Sequence, residues 1–158
     1  MVGLKGQASS CGKEGSMMRN GWMILALGLW GMALAQDGGK LYAQYCAGCH
    51  QPTGQGVPGA FPSLVGLDPL FKDPKGRAYL VQVVAFGLQG SLKVGSFTYN
   101  GLMPPIGQLG DEEIARLLNH IGASFGNRNP QPFTPVEVQK ARERRLTPQE
   151  VLKGRPTR

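Results

Sequence analysis

The chain has 158 residues, room for one small domain, and its 17 basic and 10 acidic residues leave a net charge of +7. Three cysteines and two histidines are too few for a disulfide scaffold or for a zinc site with a second ligand pair. Beyond residue 35 the basic excess falls entirely in residues 128–158, where Phe133 is the one aromatic residue, which excludes the interleaved pattern of a nucleic-acid surface.

Residues 1–35 have the three parts of a secretory signal: a basic flank (Lys13, Arg19), an apolar run over residues 21–35, and the small-x-small site Ala33-Leu34-Ala35. As a helix that run is about 22 Å long, short of the roughly 30 Å a membrane span needs. It therefore reads as a cleaved signal rather than an anchor, and a start at Met17 or Met18 gives it a more ordinary basic region. Cys11 leaves with it. No cysteine follows the cleavage site to carry a lipid, so the mature chain is expected to begin at Gln36, exported or periplasmic, soluble and without stable membrane insertion.

Residues 38–47 read as a short helix with Leu41, Tyr42 and Tyr45 on its apolar side, running into Cys46-Ala47-Gly48-Cys49-His50. C-x-x-C-H is the pattern of c-type haem attachment: two thiols on one turn reach neighbouring pyrrole edges, and the following histidine lies under the iron. A thioredoxin-like dithiol would sit beside a βαβ pattern, which this chain does not have. Export agrees with the motif, because c-type haem is attached outside the cytoplasmic membrane.

Residues 51–69 form a Gly/Pro-rich loop. Residues 77–88 are a continuous apolar stretch, a buried helix closed by Gly87 or Gly90, and residues 92–99 alternate as a hairpin turning at Gly95. Residues 101–110 are a second Gly/Pro loop, and residues 111–125 are the clearest helix. It has Asp111 as cap, Ile114, Leu117, Leu118 and Ile121 on one face, and Gly126 at its end. In the tail, Thr134-Pro135-Val136-Glu137 and Thr147-Pro148-Gln149-Glu150 are two helix starts with a capping threonine and proline at the first helical position. The expected organisation is a signal (residues 1–35), a haem domain (residues 36–127) and a basic helical extension (residues 128–158).

His50 supplies iron with one axial ligand. A thioether as the other gives a closed electron-transfer site; an open position gives ligand binding or peroxide chemistry. Met103 is the sole methionine after the signal and sits before Pro104 and Pro105, which stiffen its loop. His120 is the rival ligand, but its place on the last body helix favours packing. No histidine or arginine lies near the Met103 loop to serve a haem enzyme or gas sensor.

Gly38, Tyr42, the Cys46–His50 motif, the loop to Pro62 and Leu64, the stretch from Tyr99 to Pro105 and the helix from Asp111 resemble class I c-type cytochromes. With the extension beyond Arg128, the chain is most similar to the soluble members from extremely thermophilic bacteria. The resemblance implies a mainly α fold: helices around one covalently bound haem c, a short β-hairpin and a C-terminal helical extension behind the crevice. It implies thioether bonds from Cys46 and Cys49, and iron held by His50 and Met103. The Pro62 carbonyl would accept from the His50 ring, and Leu64 would pack on the haem face. Asn100 has two open roles, as donor to the Met103 sulfur or to a haem propionate. Gly38 and Tyr42 would lie where the first and last body helices cross. The implied function is a monomeric one-electron carrier, not an enzyme, between a bc-type complex and a terminal oxidase. An electron-accepting subunit of a periplasmic dehydrogenase is the alternative. The neutral body has no lysine ring, so docking is expected through an apolar edge of Val57, Phe61, Leu102, Pro104, Pro105 and Ile106.

Overall fold

The computed structural model describes residues 37–156, so the predicted signal lies outside the described residues. Its elements in chain order are α1 (Gly38–Tyr45), α2 (Ala47–His50), α3 (Asp68–Lys72), α4 (Pro74–Phe86), β1 (Leu88–Val94), β2 (Phe97–Met103), α5 (Asp111–Ala123), α6 (Pro135–Arg142) and α7 (Pro148–Lys153). This is the mainly α arrangement expected, with a single antiparallel hairpin among the described residues.

The central packing is α1 against α5. The face of α5 read from its periodicity is buried throughout: Ile114 and Leu117 are fully enclosed and Leu118 and Ile121 nearly so. Leu41 and Tyr42 meet it from α1, and the His120 ring packs tilted against Tyr42, with ring centres 5.7 Å apart. The helices touch backbone to backbone at Gly38, where an added Cβ would strike the Arg116 carbonyl. Gly38→Ala should therefore force the crossing apart and destabilise the fold by about 1–3 kcal/mol, the usual penalty of overpacking. A thermal melt checks it, and an unchanged midpoint would show that the crossing has slack.

Several boundaries differ from the sequence reading. α4 begins at Pro74 rather than residue 77, because Asp73 caps it by accepting the Gly76 N–H at 2.8 Å. A short helix, α3, occupies part of what reads as loop. The hairpin is longer at both ends, with Leu88 paired to Met103 and Val94 to Phe97, so Met103 ends a strand rather than sitting mid-loop. α5 is capped by Gly110, whose N–H is taken by Glu113, and it stops at Ala123. Asp111 serves Arg142 instead, at 2.6 Å.

The extension is part of the core. Thr134 and Thr147 cap α6 and α7 as their motifs predict, and Val138 and Val151 are completely buried. α6 lies on α4 and α5. α7 packs on β1 and α4, so the tail meets the hairpin rather than staying behind the crevice. At its root Arg77, 9% exposed, makes a two-pronged bond with Glu137 at 2.7 Å. The same guanidinium donates to Asn129 Oδ1 and the Gln131 carbonyl and lies 3.9 Å over the Phe133 ring.

Candidate haem site

α1 delivers Cys46, and one further turn, α2, ends in His50. The next residue, Gln51, takes φ 65°, which turns the chain into the loop that passes back over the histidine. Main-chain bonds close that loop: Gly56 N–H to His50 O at 2.9 Å, Val57 N–H to Phe61 O at 2.8 Å, and Leu64 N–H to Gly54 O at 2.7 Å. Pro62 is thereby set beside the imidazole, and His50 Nδ1–H donates to its carbonyl at 2.8 Å. A carbonyl only accepts, so Nδ1 carries the proton and Nε2 keeps the lone pair a metal needs. Burial lowers the His50 pKa against the opposing pull of the Pro62 bond, which favours the neutral ring.

Asn127 has a role that the sequence did not disclose. It is 6% exposed, accepts the Leu67 N–H at 2.9 Å, and donates to Leu64 O at 2.7 Å and Ile121 O at 3.0 Å. It ties the far end of the loop to the C-terminus of α5. A Gly-Asn pair after a helix signals a turn, but partners some sixty residues away leave no mark in the local pattern.

Met103 is fixed by backbone. Gly87 ends α4 at φ 79°, and any Cβ there would come within 2.5 Å of the Met103 carbonyl oxygen. The hairpin's last pair thus sits directly against the end of α4. Beyond Pro104 and Pro105 the Ile106 N–H donates to Val84 O at 2.8 Å. Ile106 is buried, contrary to its place in the expected exposed edge, because that bond draws it under α4.

One cavity gathers Cys46, His50, Pro62, Leu64 and Met103. Its remaining wall is mostly aliphatic and aromatic, from α3 (Leu70, Phe71), α4 (Tyr79, Leu80, Val83, Val84), the inner face of β1 (Leu88, Leu92, Val94) and α5 (Leu118, Ile121). Cys49 is exposed and outside the lining, one residue before His50. Asn100 is exposed too, paired with Ser91 on the face of β2 opposite Met103, and does not line the cavity. His120 also lies outside it, held between Tyr42 and Phe125. Burial, with the neighbouring Cys49 adding, pushes the Cys46 thiol up to about 11, so the free sulfur stays neutral against the apolar wall. A larger surface hollow, about 640 Å³ and bordered by Asp111, Arg142, Glu143 and Arg145, contains none of these residues.

The donors fit a haem better than a bare metal ion. A neutral imidazole and a thioether sit in an apolar slot, and among the described residues no cluster of three or more His, Cys, Asp or Glu could hold a metal alone. No described helix is long and apolar enough to cross a membrane.

Comparison with known proteins agrees. Residues 33–121 match the family model described as cytochrome C oxidase, cbb3-type, subunit III. The chain is 50% identical over 145 residues to a cytochrome c-552 of Thermus thermophilus, covering 88% of this chain and 96% of that protein. A second Thermus thermophilus cytochrome c-552 is 50% identical over 124 residues, covering 75% and 94%. The cytochrome c subunit of a quinone-dependent alcohol dehydrogenase from Gluconacetobacter polyoxogenes is 31% identical over 115 residues, 72% of this chain but 24% of that protein. Motif, cavity and relatives converge: the chain belongs to the cytochrome c family as a class I c-type cytochrome, a haem-binding electron carrier rather than an enzyme.

Proposed function

We propose that the chain is an exported, monomeric one-electron carrier with a single haem c, held covalently by Cys46 and Cys49 and axially by His50 and Met103. The observation that carries this reading is that His50, at the end of α2, and Met103, at the end of β2, line the same apolar cavity. When bound, the haem supplies a reversible one-electron iron couple. Pro62 orients the His50 ring and strengthens it as a donor through Nδ1. Leu64 and the aliphatic wall keep water from the iron, which favours the less charged, reduced state. Residues 1–35 serve as the export signal, residues 36–127 as the haem domain and residues 128–158 as its extension. Asn100, exposed beside the hairpin, acts only from outside the cavity.

The physiological route runs from a bc-type complex to a terminal oxidase. Val57 (38% exposed), Phe61 (40%) and Leu102 (57%) provide apolar contact near the ligand loops, while the neutral body supplies little long-range steering. Oxidation of the reduced protein by oxidase-containing membranes should therefore change by less than about threefold between low and physiological salt. A steep fall with salt would contradict apolar docking. The likeness to a dehydrogenase subunit defines the competing route. Rapid reduction by a periplasmic dehydrogenase, with no oxidation by the oxidase, would establish that route instead.

A further inference from the structure

Three successive residues after α5 tie the His50 side of the cavity to the rest of the fold. Arg128 N–H donates to Asp68 Oδ1 at 2.9 Å, at the start of α3. Asn129 N–H donates to Gly122 O at 2.9 Å, and its side chain accepts from Arg77. Between them Asn127 is buried and engages its whole amide with main-chain groups. Leu64 and Leu67 are the ends of a four-residue turn with Gly66 at φ 76°, and the amide clips both. It accepts the Leu67 N–H at 2.9 Å and donates to Leu64 O at 2.7 Å. Its second hydrogen goes to Ile121 O of α5 at 3.0 Å.

Those three bonds join two walls of one cavity. Pro62, Leu64, Val65 and Leu67 line it on one side, and Leu118 and Ile121 of α5 line it on another. Asn127 itself lies outside the lining. Pro62 stands two residues before the clipped Leu64, and its carbonyl takes the His50 Nδ1–H at 2.8 Å. A carboxamide has the two donors and the acceptor that this junction uses, whereas an ionised carboxylate has no donor for the two carbonyls.

We propose that Asn127 is a positioning residue of the redox centre. Its amide sets the spacing between the 62–67 wall and α5, which keeps the Pro62 carbonyl on the His50 ring and water out of that side of the cavity. The inference rests on the haem reading of the cavity and adds to it a residue that acts only through its neighbours. Without the amide, Leu64 O, Ile121 O and the Leu67 N–H each lose a buried partner, which favours openings of the turn that let water reach them. Each opening loosens Pro62 and frees the His50 ring proton to exchange with solvent.

The test is hydrogen exchange of the His50 Nδ1–H in the reduced holoprotein, followed by NMR. Asn127→Ala should speed it about tenfold, the factor that follows from the net loss of one buried hydrogen bond in a local opening. Asn127→Asp keeps the shape and the acceptor but loses both donors, and should speed it nearly as much. Val151→Ala, in α7, should lower the melting midpoint and leave the exchange rate in place, which separates positioning from a general loss of stability. A wild-type rate in either Asn127 variant, or an equal rise in Val151→Ala, would overturn the proposal. If neither Asn127 variant matures, the unmodified holoprotein decides. Its Leu67 N–H and His50 Nδ1–H should exchange through one shared opening, with the same dependence on low denaturant, and unlike dependences would overturn the proposal. A wild type that binds no haem would instead sink the haem reading itself.

Discussion

Met103→Ala is expected to convert the protein from a closed carrier into one that binds carbon monoxide when reduced. The thioether is the cavity's one sulfur donor besides the Cys46 thiol. Its loss leaves His50 as the sole axial side chain and an apolar space where the sulfur was. The reduction potential should fall by on the order of 0.1–0.2 V, a fraction of the roughly 0.8 V range that axial ligands command. The fold should survive. Met103 is half-buried, and its backbone is set by the pairing with Leu88 and by the close approach of Gly87 rather than by its side chain. Truncation should therefore destabilise by no more than about 2 kcal/mol, the lower end for buried methionine. Difference spectra with and without carbon monoxide are the check. An unchanged spectrum would move the sixth ligand elsewhere, and His120, packed between Tyr42 and Phe125 and outside the cavity, is not positioned to take over.

Arg77→Ala should be the most damaging loss of a polar side chain outside the haem site. It removes the two-pronged bond to Glu137, the bonds to Asn129 and Gln131, and the stacking on Phe133, in a place where water does not replace them. Breaking a buried pair costs about 3–5 kcal/mol, and Glu137, one-third exposed, recovers part of its loss by hydration, so about 3 kcal/mol is expected. In a domain of this size that is a drop of roughly 10–15 °C in melting midpoint. The exposed pair between Arg116 and Glu112 is the contrast: Glu112→Ala should change stability by less than about 0.5 kcal/mol. Comparable midpoints for the two variants would mean that Arg77 does not anchor the tail.

The parts of the fold visible in the sequence were those with local causes. The face of α5 follows from a repeat of about 3.6 residues, and α6 and α7 from threonine, proline and glutamate at fixed offsets. The start of α4 carries a like pairing of cap and proline in Asp73-Pro74 but is obscured by the glycine and charges that follow it. The ends of the hairpin were hidden by Gly90, Asn100 and Gly101, poor strand formers that the ladder nevertheless pairs. In the site, Cys46, His50 and Met103 could be counted directly. Asn127 could not, since its role depends on contacts with residues far apart in sequence.

The central claim is that His50 and Met103 together close the iron site, and the optical spectrum of the unmodified holoprotein tests it most directly. The oxidised protein should show the weak long-wavelength band of thioether-to-iron bonding, and the reduced protein should be unmoved by carbon monoxide. A missing band, with ready uptake of carbon monoxide, would contradict it.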